Sequence, residues 1–489
     1  MAHHRSAWPL LLLATSSAFA QYAGSTPPPA EWKAGFDSIK TSDGRTFLGY
    51  LAGPECMGRG TGQPGYQKAA EHQASYFKKW GLKPVGDNGT YFQNVPFWRS
   101  VFVEKGSEIK VLGSGLTLPG GEAFRLNGMT GSIDVTSTVV ELTPNGDDPN
   151  MGTVNLAKRI VLLHGDRISF RLRNAITNAQ PAAVFVIKPT SGLPEYTIRR
   201  SAPTGDAVAR APFGTISEKA ANALLAGSSM TASGAAKVGT RLVRLVAKSE
   251  AGALNVPNVV GLLEGSDPTL KAEIVGVGAH LDHLGVSGGV VYPGADDDGS
   301  GSTALLQVIK AFATNPVKPR RSILFMNFCG EEMGLVGSGW YASHPIYSHD
   351  TMVAELQMDM VGRNSVGPQN GDRNRTDVES ENLDTVRLVG SKRISTDLDK
   401  TIMEMNKHLN FRFKYDAEDV YTRSDHYNFA KNGIPIAFFF TGFHPEYHQP
   451  TDTIEKINFD KIANTAKLVY LTAATLATQD ARPRKDVGK

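Results

Sequence analysis

Cysteine is nearly missing from this chain: Cys56 and Cys329 are the only two among 489 residues. That excludes a disulfide-built scaffold and leaves room for one bridge at most, Cys56–Cys329. Cys329 closes the apolar run 323–328, so the simplest reading is a small buried residue. A surplus of either charge sign is missing too. The formal charge is +3, which gives no reason to expect nucleic acid or an anionic membrane as partner. After the first 20 residues no stretch approaches the ~20 apolar residues that span a bilayer. No internal repeat or low-complexity array is present. What remains is a globular composition, 41% hydrophobic and 20% charged, too long for one ordinary core.

The amino end reads as a targeting segment. Residues 1–7 carry Arg5 and two histidines, residues 8–14 are a short apolar run, and Ala18-Phe19-Ala20 fits the small-x-small pattern of signal peptidase. Cleavage after Ala20 is expected, with no cysteine at the junction for a lipid anchor. The mature protein is therefore expected to be exported, periplasmic or secreted, without a membrane anchor.

Composition and periodicity divide the chain further. Residues 1–20 are the signal peptide and 21–30, with Pro27-Pro28-Pro29, a linker. Residues 31–118 open the main domain, with a helix over 66–80 and short alternating strands over 90–118. Residues 119–250, rich in Gly, Ala, Ser and Thr and lacking an acid–histidine cluster, read as an inserted, smaller β-rich α+β domain. Residues 251–480 return to the main domain, and the charged tail 481–489 is expected to fray. From 256 onward, strands near 272–278, 322–328, 353–358 and 435–440 alternate with helices over 302–314, 335–343, 396–409 and 458–477. That is α/β: a doubly wound, mostly parallel mixed sheet with helices on both faces.

In such a sheet, loops at the carboxyl ends of the strands converge on one crevice. Here those loops carry acids and imidazoles whose types suit zinc. The first strand ends in Ala279-His280-Leu281-Asp282-His283, where Asp282 could hold the far ring nitrogen of His280. Asp296-Asp297-Asp298-Gly299-Ser300-Gly301 opens a helix. Capping accounts well for one aspartate there and poorly for three, whose repulsion a cation would relieve. In Gly330-Glu331-Glu332 the adjacent side chains point apart, so one can bind metal while the other stays free as a base. Asp359 sits among apolar residues, where an acid is rare unless paired or coordinating. Tyr447-His448 offers a last imidazole with Asp452 as its candidate orienter, although His444 could be the ligand instead. Each has a bland alternative in isolation; placed together at strand ends they indicate a hydrolytic metal site.

With these residues assembled, the chain resembles the co-catalytic zinc aminopeptidases, whose relatives include glutamate carboxypeptidases, glutaminyl cyclases and the transferrin receptor. The motifs are Gly58-Arg59-Gly60-Thr61-Gly62, those quoted above, Glu331-Glu332-Met333-Gly334, Asp359-Met360-Val361-Gly362, Arg423-Ser424-Asp425-His426-Tyr427 and Tyr447-His448-Gln449-Pro450-Thr451-Asp452. The insert resembles a protease-associated domain. The resemblance implies two Zn²⁺ per chain: His280 and Asp359 on one, Glu332 and His448 on the other, Asp297 bridging. It implies Glu331 as general base for a bridging water or hydroxide, Tyr447 as oxyanion stabiliser, and a cis peptide at Asp297–Asp298. Three carboxylates and a hydroxide would balance the four positive charges.

Peptides are the implied substrates, cleaved from the amino end. Within the same site a carboxypeptidase or dipeptidase is the alternative, with Arg423 and Asp425 as candidate substrate contacts, unless these two simply pair with each other. A single-zinc glutaminyl cyclase and a metal-free binding module are the others; the filled ligand set argues against both. Side-chain preference and oligomeric state are not written in the sequence, and segment 364–382 is a candidate flap.

Overall fold

The computed structural model describes residues 21–486 except 130, 143–153, 165–169, 190–195, 201–210, 232–235, 288, 365–367, 370–371, 377–379, 381 and 416–417. The expected leader lies outside the described residues, as do parts of the 364–382 segment. Eight strands organise the larger sheet: β1 (Phe92–Val111), β2 (Val243–Leu263), β3 (Ile274–His280), β4 (Ser322–Phe328), β5 (Met352–Met358), β6 (Thr385–Val389), β7 (Arg412–Lys414) and β8 (Ile436–Phe440). Their order is β7-β6-β8-β5-β3-β4-β2-β1. β3 runs parallel to both β4 and β5, and β5 parallel to β8. β2 pairs antiparallel with β4 and β1, and β6 antiparallel with β8. The sheet is the expected mixed one, parallel through its central strands β4, β3, β5 and β8 and antiparallel toward β2 and β1.

Every residue of β3, β4 and β5 is buried, because helices cover both faces and leave no wet side for polar residues. Alternation along β4 divides the cores. Ile323 and Phe325 join the one filled by α2 (Gly299–Thr314) and α5 (Phe459–Thr478). Leu324, Met326 and Phe328 face the one holding Tyr341 and Phe429. Phe312 sits where α2, α5 and the sheet meet, 1% exposed, with ring centroids 4.7 Å from Tyr470 and 6.2 Å from Phe325. Phe312→Ala is expected to cost about 3–5 kcal/mol in denaturant unfolding; a loss below about 1 kcal/mol would contradict this packing.

A second sheet of seven strands spans Phe124–Asn127 to Ala236–Val238 and packs its own core on each face. Long strands β1 and β2 join the two sheets. The sequence suggests short strands over 90–118, but β1 is one strand of 20 residues. Its start (Val95, Phe97) enters the main core and its end (Phe102, Ile109, Val111) enters the second core. Antiparallel pairing with β2 carries the chain between them.

One smaller expectation holds and two change. Cys56 and Cys329 are both buried and free, so no bridge forms. The 21–30 stretch is docked rather than loose: Tyr22 donates to the Leu383 carbonyl and packs edge-on against Phe411. The tail is pinned as far as residue 486: Arg484 pairs with Asp397, and the Asp486 carboxylate accepts from the Thr396 N–H. No helix among the described residues is long and apolar enough to cross a membrane.

Candidate metal centre

The chain leaves β3 for β4 on one side and β5 on the other, so the sheet splits at the carboxyl end of β3, where a crevice opens. His280 ends β3, Glu331 and Glu332 follow β4, Asp359 follows β5, and His448 follows β8 by a longer loop. Asp297 comes from the turn that opens α2. The fold therefore brings all five expected ligands together.

They form two donor groups that share Asp297. Its Oδ1 lies 3.3 Å from His280 Nε2, which is 3.5 Å from Asp359 Oδ1. Its Oδ2 lies 3.0 Å from His448 Nε2, which is 3.1 Å from Glu332 Oε2. Burial alone would raise the Asp297 pKa, but the His283, His280 and His448 imidazoles outweigh it and hold this carboxyl well below the usual range. Several donor atoms, among them His280 Nε2 and Glu332 Oε1, are buried without a hydrogen-bond partner. Leaving such atoms unpaired is costly. Divalent ions would satisfy them, and the nitrogen–oxygen donor set suits zinc. Asp297 and Asp298 are joined by a cis peptide. Met360 (φ 52°) and His448 (φ 56°) occupy the left-handed region beside or at the site, a costly conformation that clusters at functional centres.

The three consecutive aspartates divide their work. Only Asp297 faces the donor groups. Asp298 caps α2 by accepting from the Gly301 N–H at 2.9 Å, and also accepts from the N–H groups of His280 and Met360. Asp296 accepts from the Gly362 N–H at 2.7 Å and lies 3.2 Å from His444 Nε2. Backbone N–H groups thus engage two of the acids without a cation, and the second oxygen of Asp296 stands beside His444. His444, turned to Asp296 and Glu446, belongs to neither donor group.

The two expected orienters act on different partners from those the sequence suggested. His280 Nδ1 bonds the Asp282 backbone carbonyl at 2.9 Å, while the nearer carboxylate oxygen is 3.9 Å away. The Asp282 carboxylate instead accepts from Thr61 Oγ1 and from the Glu331 N–H, tying the 58–62 turn to the Glu331 loop. Asp452 accepts from the N–H groups of Asp296 and Asp297 rather than holding His448. Arg59 is fully buried in that same turn, and its guanidinium donates to the carbonyls of Leu281, Leu51, Pro293 and Gly294. Arg59→Met would strip these carbonyls of their donor. We expect at least about 3 kcal/mol of lost stability in denaturant unfolding, since bonds to a charged group contribute about 1.5–3 kcal/mol each.

Glu331 belongs to neither donor group. It lines a cleft with Asp297, Asp359, Arg423 and Tyr447, whose apolar wall is Met360, Val420, Phe438, Phe440 and Phe443. Burial, together with Asp359, Asp425 and Glu332, pushes the Glu331 carboxyl well above its usual range. Arg423 and Asp425 do not pair: Arg423 donates to the Tyr447 hydroxyl at 3.2 Å and lies 4.7 Å over the Phe443 ring. Asp425 is buried and accepts from Ser338 Oγ. Sequence reasoning did not single out His283. Its side chain is fully buried, with Nδ1 2.8 Å from Glu332 Oε1. The available signal was its place in the same strand-end segment as His280.

Residues 258–473 match the model of peptidase family M28. Probable leucine aminopeptidases of Trichophyton verrucosum and Arthroderma benhamiae are each 32% identical over 223 residues, covering 43% of this chain and 56% of theirs. The chain thus spans about half the length of the curated relatives it matches. Among solved structures, BSAP, a zinc aminopeptidase from Bacillus subtilis, superposes with a TM-score of 0.61 at 18% identity, covering 92% of this chain and 99% of that one. An aminopeptidase from Aneurinibacillus sp. strain AM-1 gives 0.55 at 20% identity, with 94% and 98% covered. The fold is shared along almost the whole chain.

Proposed function

We propose that this chain, whose residues 258–473 match the model of peptidase family M28, is an exported aminopeptidase that uses two zinc ions to remove apolar residues from the amino end of peptides. The observation that carries this reading is Asp297, whose two oxygens face two separate donor groups. His280 and Asp359 would hold one ion, Glu332 and His448 the other, with Asp297 shared. When bound, the ions would polarise the scissile carbonyl and make water a usable nucleophile near neutral pH.

The chain's own residues supply the rest. Glu331, with its raised proton affinity, accepts the proton of the attacking water and passes it to the leaving amine. Tyr447, beside Asp297 in the same cleft, donates a hydrogen bond from its hydroxyl to the developing oxyanion. Arg423 is the only cationic side chain lining that cleft among the described residues, and it is turned onto Tyr447 and Phe443. An acidic cleft with its one cation engaged favours a substrate ammonium over a terminal carboxylate. Aminoacyl-anilides should therefore be cleaved and their N-acetyl forms resist; equal cleavage of both would sink the reading.

The aromatic wall supports an apolar first residue, as do the names of the two leucine aminopeptidase relatives. Burying a leucine side chain contributes about 1.5–3 kcal/mol. We therefore expect kcat/KM for a leucyl-anilide to exceed that for an aspartyl-anilide by roughly 10–100-fold. Export rests on the 8–14 apolar run and Ala18-Phe19-Ala20; sequencing the mature amino terminus should give Gln21. The 119–250 segment is read as a protease-associated-like insert on the same family resemblance.

A further inference from the structure

His283 has no part in the ligand scheme above, yet its imidazole is fully enclosed beside it. Its backbone N–H donates to the Arg59 carbonyl, and its side chain has no exposed surface. Nδ1 lies 2.8 Å from Glu332 Oε1 and 3.7 Å from Asp297 Oδ2. His283, Asp297, Glu332 and His448 each offer a donor atom within 4.8 Å of the others.

A hydrogen bond to Glu332 is the simpler explanation of the 2.8 Å approach, and the geometry argues against it. Neither ring nitrogen of His283 has a hydrogen-bond partner, and Glu332 Oε1 is likewise unpartnered. The two atoms are close but not hydrogen-bonded, as two donors to a common centre are. Four donors arranged tetrahedrally at zinc bond lengths stand about 3.3 Å apart. The separations here straddle that value: 2.8 Å from His283 to Glu332 Oε1, 3.1 Å from His448 to Glu332 Oε2, and 3.7 and 3.0 Å from these two imidazoles to Asp297 Oδ2. The backbone also makes room for the ring. At Gly294 (φ +58°) a β-carbon would fall 2.4 Å from His283 Cγ and 2.3 Å from the Asp297 carbonyl, so a residue with a side chain would close the imidazole's slot.

We propose that His283 Nδ1 is a fourth protein donor to the ion held by Asp297, Glu332 and His448. The inference rests on the two-metal reading and adds an asymmetry to it. One position is a closed set of two imidazoles and two carboxylates; the other, with His280, Asp359 and the shared Asp297, keeps an open place. Closed four-donor sets are those of structural zinc, and three donors with an open place those of catalytic zinc. The His283 position would hold its ion more tightly than the His280 position.

A crystal structure of the full chain grown with excess zinc tests this directly. His283 Nδ1 is expected at about 2.0–2.1 Å from one zinc; a separation beyond about 3 Å with both ions present overturns the inference and leaves the two-metal reading standing. A crystal holding no zinc at these residues overturns both. Chelator competition gives a second readout. The wild-type chain should release one zinc far more readily than the other. His283→Gln should weaken the tight equivalent by more than ~100-fold, beyond the 10–100-fold typical of losing an outer contact. An unchanged release profile in the folded variant overturns the proposal.

Discussion

Glu331→Gln is expected to lower kcat on a leucyl-anilide by roughly 10²–10⁴-fold, the range that a positioned general base contributes, while metal content stays at the wild-type level. The physical reason is the separation of tasks in the cleft. Glu331 lies outside both donor groups, so glutamine leaves every ligand in place. It keeps nearly the same shape and removes only the basic oxygen. The Asp282 carboxylate bonds the Glu331 backbone N–H and not its side chain, so the loop should hold its position. KM should move little. A variant retaining more than about a tenth of wild-type kcat would assign the proton transfer to another group.

Asp297→Ala is expected to abolish activity by a different route, the loss of both ions. Each donor group uses one oxygen of this carboxylate, so a single substitution would empty both proposed positions, which Glu331→Gln would leave filled. Metal analysis should fall from two equivalents to less than one. Stability should show the same loss. Ligand binding to the native state adds about 4 kcal/mol when free ligand is a thousandfold above Kd. Zinc should therefore raise the melting temperature of the wild-type chain and not that of the variant. Chelation of the wild-type chain should reproduce the variant's inactivity, and zinc should reverse it. A variant that kept two zinc ions and full activity would remove Asp297 from the bridging role.

The parallel strands were legible because burial on both faces writes them as unbroken apolar runs, and β3, β4, β5 and β8 lie within about two residues of where those runs indicate. β1 was not legible as one strand. Its side chains serve one core at its start and another at its end, and a period shared between two cores cannot be read locally. β6 and the short helices near the amino end carry too little periodic signal to stand out. The tail was misread as loose because Arg484 and Asp486 find partners, Asp397 and Thr396, some 90 positions away.

The amino-acid order by itself determined which acids and imidazoles end the central strands, since an apolar run followed by a polar residue fixes where the buried sheet meets its crevice. What each of those groups then bonds was decided only by the tertiary structure. Asp298, Asp296, Asp282 and Asp452 are occupied by backbone N–H groups or neighbouring side chains brought from other elements, while His283 is turned toward Glu332. A carboxylate accepts from whichever donors the folded chain presents, and those donors belong to residues dozens of positions distant, so the choice exists only once the strands have packed.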